Sequence, residues 1–477
     1  MEELKSGEIS IDIPRYSSES EIGETKSKKI LMDIFKYSLG GLGVTLATNL
    51  TMSYLNFFLT DVFGITAFSV AGIMLVSRVV DAITDPVMGI GADRTKSRWG
   101  KFRPWMIFFA PVLGFAVFLL FYTPNIPESM KVIYAYGVFI FYSIAITIVS
   151  IPYFALVPVI SKDSHTRTII ISWKSVMCQV AVLCISTFAL PMVNMFGGGQ
   201  KGWSTFGGIV GVAATIFVWI AADGAKAHDV SSSIEVSKNT KNENKEENNF
   251  KILLKTKPLL VLVAAFGLSM FANTLVNSAN MYYFKYILNK QNWIPTVMAV
   301  SMGASILASM ILPKIEGIFG KKKAFIYSTL ICIIPLILLG LNPNVTSIYS
   351  LLAQLILFGF MYGIASALPW AMIPDCIDYA EWKYGVQPNG LFTATFTFVQ
   401  KCGIAIGGFL SSFLLGIAGF VANKDQVESS IKMIISLRFI IPAVLFLLVV
   451  VVLYFYEITP ERTKEISKEL EKRRDIA

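Results

Sequence analysis

Three ionisable side chains, Arg78, Asp81 and Asp85, sit inside the otherwise apolar stretch Thr66 to Ala92. On a helix, Asp81 and Asp85 stand about 40° from each other and Arg78 falls on the same side. A charge at bilayer depth costs at least ~2.5–3.5 kcal/mol, so this stripe is expected to face an internal, wet cavity. Two carboxylates there can bind a proton or Na⁺ and tie its movement to that of a substrate. The alternative is a structural salt bridge in which Arg78 holds one of the acids. A second set, Thr393, Thr397 and Lys401, repeats at four-residue spacing along one helix face. Lys401 lies about ten residues from the expected helix end, roughly 15 Å at the helical rise and too deep to snorkel with ease. An acid of the Asp81/Asp85 stripe is its expected partner, which would offset part of its desolvation cost.

Other polar groups admit two readings each. Asp375, Asp378 and Glu381 close another apolar stretch. They are either ordinary interfacial acids or one side of a gate whose other side is Arg94, Arg98 or Arg167. Thr45, Thr48, Asn49 and Asn56, and likewise Asn273, Asn277 and Asn280, recur at helical spacing. They can bond neighbouring helices, worth about 0.6 kcal/mol each, or meet sugar hydroxyls. His165 and His228 fall outside the apolar segments, which excludes a histidine relay within the membrane. No nucleophile, base or metal constellation stands out, so neither an enzyme nor a bound cofactor is expected.

The elements that hold these residues follow from composition. Hydrophobic residues make up 54% of the chain and charged ones 15%, and mean hydropathy is +0.62. Such a chain is a polytopic membrane protein and expected to be all-α. Twelve segments of ~20 or more mainly apolar residues can be counted, the second over 66–92, the eighth and ninth over 293–317 and 324–341, the eleventh over 391–418. Residues 1–33 read as a cytosolic tail without a signal-peptide core, and 458–477 as a second tail. The polar stretch within 223–252 reads as a flexible cytosolic linker between two six-helix bundles, 34–222 and 253–457. Lysines and arginines cluster in alternate loops, which places both termini in the cytoplasm. The net charge of +9 is therefore topology rather than a nucleic-acid patch. Five cysteines show no metal spacing. The motif Gly89-x-x-x-Asp93-Arg94 is echoed by Gly317 to Lys323 after the eighth segment, a 6+6 repeat of the kind that builds major-facilitator transporters.

At Asp81-Ala-Ile-Thr-Asp85-Pro-Val-Met-Gly and Asp93-Arg94-Thr-Lys-Ser-Arg98-Trp-Gly-Lys-Phe-Arg103-Pro-Trp the chain resembles the glycoside–pentoside–hexuronide:cation symporters. Ile151-Pro-Tyr153, Asp375-Cys-Ile-Asp378-Tyr-Ala-Glu381 and Lys401-Cys-Gly403 extend the resemblance over most of the length. It implies a major-facilitator fold and sugar/cation symport in the plasma membrane. It assigns cation binding and coupling to Asp81, Asp85, Thr147 and Lys401, with H⁺ or Na⁺ as the ion. Thr397 takes a neighbouring pocket position, and Arg78, Asn49, Asn273 and Asn277 stand as further candidate substrate contacts. Relative to the melibiose permease, Thr45 and Ser150 replace acids and Phe154 replaces a tryptophan that stacks on the sugar. Losing an acid near the cation site tilts the ion towards H⁺, which needs one carboxylate where Na⁺ wants several oxygens. The expected partners are a small sugar and the bilayer, with a monomeric assembly. The polar faces of the first and seventh segments speak against a lipid carrier, and a non-transporting sensor would not need both Asp81 and Asp85 with Lys401.

Overall fold

The computed structural model describes residues 17–229, 246–290, 293–343, 347–421 and 425–476, and these hold helices and no strand. In the first half, α1 is Ser17–Phe57, α2 Ala67–Arg94, α3 Arg103–Leu120, α4 Glu128–Ala155, α5 Ser164–Met195 and α6 Gly199–Gly224. In the second, α7 is Lys257–Tyr282, α8 Ile294–Leu341, α9 Ile348–Tyr384, α10 Asn389–Ile417 and α11 Glu428–Tyr454. A last helix, α12, is Pro460–Ile476.

Local chemistry sets the helix ends. The Thr66 hydroxyl accepts the amide of Ser69 at the start of α2, and the Asp163 carboxylate accepts that of Thr166 at the start of α5. Prolines in the first turn open α3, α7 and α8. Gly385, in the left-handed region, ends α9.

Among the described residues ten helices are long and apolar enough to cross a membrane. Helix α2, whose side chains are described only in part, is not one of the ten. The expected twelve spans follow only when α2 is added and α8, 48 residues long, is counted as two limbs. Those limbs replace the loop expected between the eighth and ninth segments. Gly320 (φ 72°, ψ 159°) bends the chain there, and Lys321 continues the helix directly. The chain is a multi-pass membrane protein: Phe108, Phe115, Val212, Leu447 and Val451 project outward without protein cover, as a lipid-facing surface requires.

The tails and the linker are more helical than expected. Helix α1 starts at Ser17, inside the expected 1–33 tail, whose first sixteen residues lie outside the described ones. Within the expected linker, Glu246–Lys255 is helical, while 230–245 lies outside the described residues. The C-terminal tail is a docked helix. Ile466 and Leu470, one turn apart on α12, are buried, and Trp382 of α9 donates its indole N–H to Glu469 at 2.6 Å. The high charge of this segment conceals its apolar stripe.

The six helices of the first half pack on one another through α1 against α5 and α6, and α4 against α2 and α3. In the second half α7 meets α10 and α11, and α8 meets α9 and α11. The halves join chiefly where α2 lies against α10 and α5 against α8. At the α2–α10 crossing no side chain would fit. A Cβ on Gly390 would stand 2.3 Å from the carbonyl oxygen of Gly89.

Candidate transport site and inner latch

The acids of α2 and the lysine of α10 meet between the halves. Lys401 Nζ lies 2.9 Å from each carboxylate oxygen of Asp85 and 3.2 Å from Asp81 Oδ1. Helix α4 supplies two hydroxyls: Ser143 donates to Asp81 at 2.6 Å and Thr147 to Asp85 at 2.9 Å. Asp85 is 1% exposed, Asp81 8% and Lys401 26% over their side chains, so the ammonium opens onto the space between the halves. Asp85 Oδ2 is in reach of the ammonium but makes no well-angled hydrogen bond, which leaves it an acceptor to spare. Among the described side chains, one positive charge is shared by two carboxylates. That arrangement can take up one monovalent cation and release it again. Arg78 lies on the same helix, but its side chain is outside the described ones.

A second cluster lies at the end that the basic loops assign to the cytoplasm, hereafter the inner end. Arg167 of α5 is buried and grips Asp378 of α9 with both terminal nitrogens, while its Nε donates to the Ser161 carbonyl at 2.7 Å. Asp375 is 3.8 Å from the same guanidinium. Lys321, at the bend of α8, donates to Asp375 at 2.8 Å, to the Ala371 carbonyl at 2.9 Å and to Ser164 of α5 at 2.6 Å. Nearby, Asp93 of α2 accepts the Leu391 amide of α10 at 3.0 Å and pairs with Lys101 at 2.9 Å. These bonds tie the two halves together at the inner end. Of the three arginines expected there, Arg167 is brought to Asp375 and Asp378. Arg94 closes the last turn of α2 and Arg98 lies 5.5 Å over the ring of Trp99.

A family model for MFS/sugar transport proteins matches residues 36–460. The chain belongs to that family. This transporter is 29% identical to the isoprimeverose transporter of Lactiplantibacillus pentosus over 473 residues, 96% of each chain. It is 26% identical to the glucuronide carrier protein homolog of Escherichia coli (strain K12) over 450 residues, 93% of this chain and 96% of that one. Such relatives place it among the glycoside–pentoside–hexuronide:cation symporters. The structure of the proton:xylose symporter XylE, bound to 6-bromo-6-deoxy-D-glucose, superposes with a TM-score of 0.66 at 14% identity. The superposition covers 93% of this chain and 99% of that one, which establishes the major-facilitator fold.

Of the other expected contacts, those of Thr397, Asn277 and Asn49 stay on their own helices. Thr397 is buried and bonds the Ala394 carbonyl, and Asn277 donates to Asn273 at 2.7 Å. Asn49 accepts from Ser53 at 3.5 Å, and Thr45 and Ser150 are half-buried. Asn280 is taken by Arg438 of α11, whose Nε donates to it at 3.1 Å. Phe154 packs on Trp370 across the halves, with ring centres 4.8 Å apart. Two further cations are buried: Arg438 itself, and Lys174, whose ammonium lies against both of those rings.

Proposed function

We propose that this transporter is a sugar:cation symporter of glycosides, pentosides or hexuronides, coupled to H⁺ and working by alternating access. The observation that carries the reading is the single ammonium of Lys401 held by both Asp81 and Asp85 at the junction of the halves. The ammonium stands where a transported cation would stand. A proton can neutralise one acid without displacing it, whereas Na⁺ would have to take its place among the oxygens. Protonation of one acid frees Lys401 from half of its hold, and the α2–α10 junction through which the halves join is loosened by the same event. Sugar and proton then favour each other's binding, as coupling requires. Thr147 and Ser143 hold the carboxylates in position, and Phe154 with Trp370 offers aromatic faces to a sugar ring. The latch of Arg167, Lys321, Asp375 and Asp378 closes the inner end while the outer end is open, and parts in the reverse state. Relatives named for isoprimeverose and glucuronide transport support the substrate class. The basic loops support a plasma-membrane orientation with both termini cytoplasmic.

Proteoliposomes given a pH gradient, a Na⁺ gradient or neither, and a panel of labelled pentosides, glycosides and hexuronides, test this. Accumulation driven by the pH gradient alone is expected. Accumulation that requires Na⁺ replaces the proton with that ion, and accumulation under neither gradient refutes symport.

A further inference from the structure

Arg438 of α11 is 3% exposed and lies about 15 Å along the helix from Glu428, at its outer start. Its Nε donates to Asn280 of α7 at 3.1 Å, while Nη1, also buried, has no hydrogen-bond partner. Among the described residues two other arginines are buried, and both are better matched. Arg167 holds Asp378 and the Ser161 carbonyl, and Arg103 donates to the carbonyls of Ala222 and Trp99 at 2.6 and 3.0 Å. No carboxylate among the described residues pairs with Arg438. At the outer end the second half carries Asp425 and Glu428, and Glu428 is taken by Lys432 at 2.6 Å. Residues 291–292, 344–346 and 422–424, which lie outside the described ones, include no acid.

The backbone around the guanidinium is also unusual. Ser436–Ile440 is a π-helical turn with Arg438 at its centre, and Tyr283–Ile287, which continues α7, is another. Such turns are rare and recur at functional sites. Tyr283 and Phe439 meet edge to face here, ring centres 5.0 Å apart, and both are buried. The Phe439 ring lies 5.1 Å from the guanidinium carbon. The Tyr283 hydroxyl donates away from it, to the Pro343 carbonyl at 2.8 Å. A guanidinium keeps its proton in a protein, so the charge persists. One amide oxygen and one ring offset only part of the desolvation of a buried charge. A water could accept from Nη1 but would bring no negative charge.

We propose that Arg438 forms an anion site in which chloride accepts from Nη1 and completes the link between α7 and α11. The close packing of Tyr283 and Phe439 favours a monatomic ion over a carboxylate or sulfate. A bound halide neutralises the guanidinium and gives Nη1 a charge-assisted partner. The site lies within the second half, so it stands apart from the acids of α2 and from whichever ion drives transport.

Full-length protein in detergent, dialysed into sodium gluconate and titrated with sodium chloride at constant ionic strength, tests the site. Ligand that binds the folded state alone stabilises it by mass action, so a saturable upward shift of the melting temperature is expected, and bromide should act likewise. Arg438→Gln keeps a donor for Asn280 but loses the charge, and is expected to lose the shift. Equal melting of wild type in gluconate and chloride overturns the proposal. So does an undiminished shift in Arg438→Gln, which would put the ion elsewhere. Wild-type crystals grown in bromide give a second reading that needs no folded variant. An anomalous peak beside Arg438 Nη1 is expected, and a water there without anomalous signal overturns the proposal.

Discussion

Arg167→Gln is expected to swing the transporter towards its inward-open state. In the wild type the guanidinium is 2% exposed and Asp378 18%, and the two are joined by both terminal nitrogens. Removing one partner of a buried ion pair costs about 3–5 kcal/mol because the other charge stays uncompensated. Asp378 keeps some water, so about 2–3 kcal/mol is the fitting figure, with the Lys321–Asp375 pair left intact. The cost falls on the closed inner end alone, since both groups are hydrated once the halves part. The ratio of inner-closed to inner-open molecules therefore falls roughly 30- to 150-fold. Spin labels at Lys96 and Lys323, exposed on opposite halves at this end, would report it as a shift from a short to a long separation in a cysteine-free background. Adding Asp378→Asn removes the orphaned charge and is expected to recover much of the short population, a non-additivity that marks direct coupling. Identical distance distributions for wild type and Arg167→Gln would refute the latch.

The crossing of α2 and α10 gives a second prediction. Gly390→Ala drives a Cβ against the backbone oxygen of Gly89, at 2.3 Å, where nothing flexible can yield. The same spin pair is expected to lengthen and uptake to fall, with the purified protein still monodisperse. A third concerns the cap of α5, outside the membrane-spanning segment. Burial pulls the Asp163 carboxyl up, but hydrogen bonds from the Thr166 hydroxyl and the amides of Thr166 and His165 outweigh it and hold the pKa below the ordinary value. A lowered carboxyl stabilises above its unfolded pKa, about 3.9, and that stabilisation is lost as pH falls through the folded value. Asp163→Ala is thus expected to lose the ~1 kcal/mol of a cap, read as a lower melting temperature in detergent. The deficit should be equal at pH 7 and pH 5, and a deficit that vanishes at pH 5 would contradict this.

The candidate coupling residues were legible because a charge in an apolar segment is expensive wherever it points. Asp81, Asp85 and Lys401 stood out on that ground alone, and charge complementarity brought Arg167 towards Asp375 and Asp378. What stayed hidden depends on helix rotation and on bends. Lys321 sits in the run Lys321-Lys322-Lys323, which reads as topology, and the bend at Gly320 is what turns it inward onto Asp375. Ser143 lies one turn before Thr147 on α4 and carries no charge to draw attention. Lys174 and Arg438 stayed hidden because their burial depends on the protein packed around them, which position along a helix does not show. The α12 stripe of Ile466 and Leu470 has helical spacing, but its setting among charges looked like a free tail.

The central claim is that Asp81 and Asp85, shared by one lysine, load the cation that drives transport. Replacing Asp85 by Asn keeps the side-chain shape and Thr147 in place, and removes the charge that both Lys401 and a cation need. Proteoliposomes with Asp81→Asn, Asp85→Asn or wild type are compared for accumulation of labelled sugar under a pH gradient and for exchange of sugar at equal concentrations. Each variant is expected to lose gradient-driven accumulation while exchange persists in at least one of them. Wild-type accumulation by both variants would contradict the claim and reduce the cluster to a salt bridge that holds the halves together.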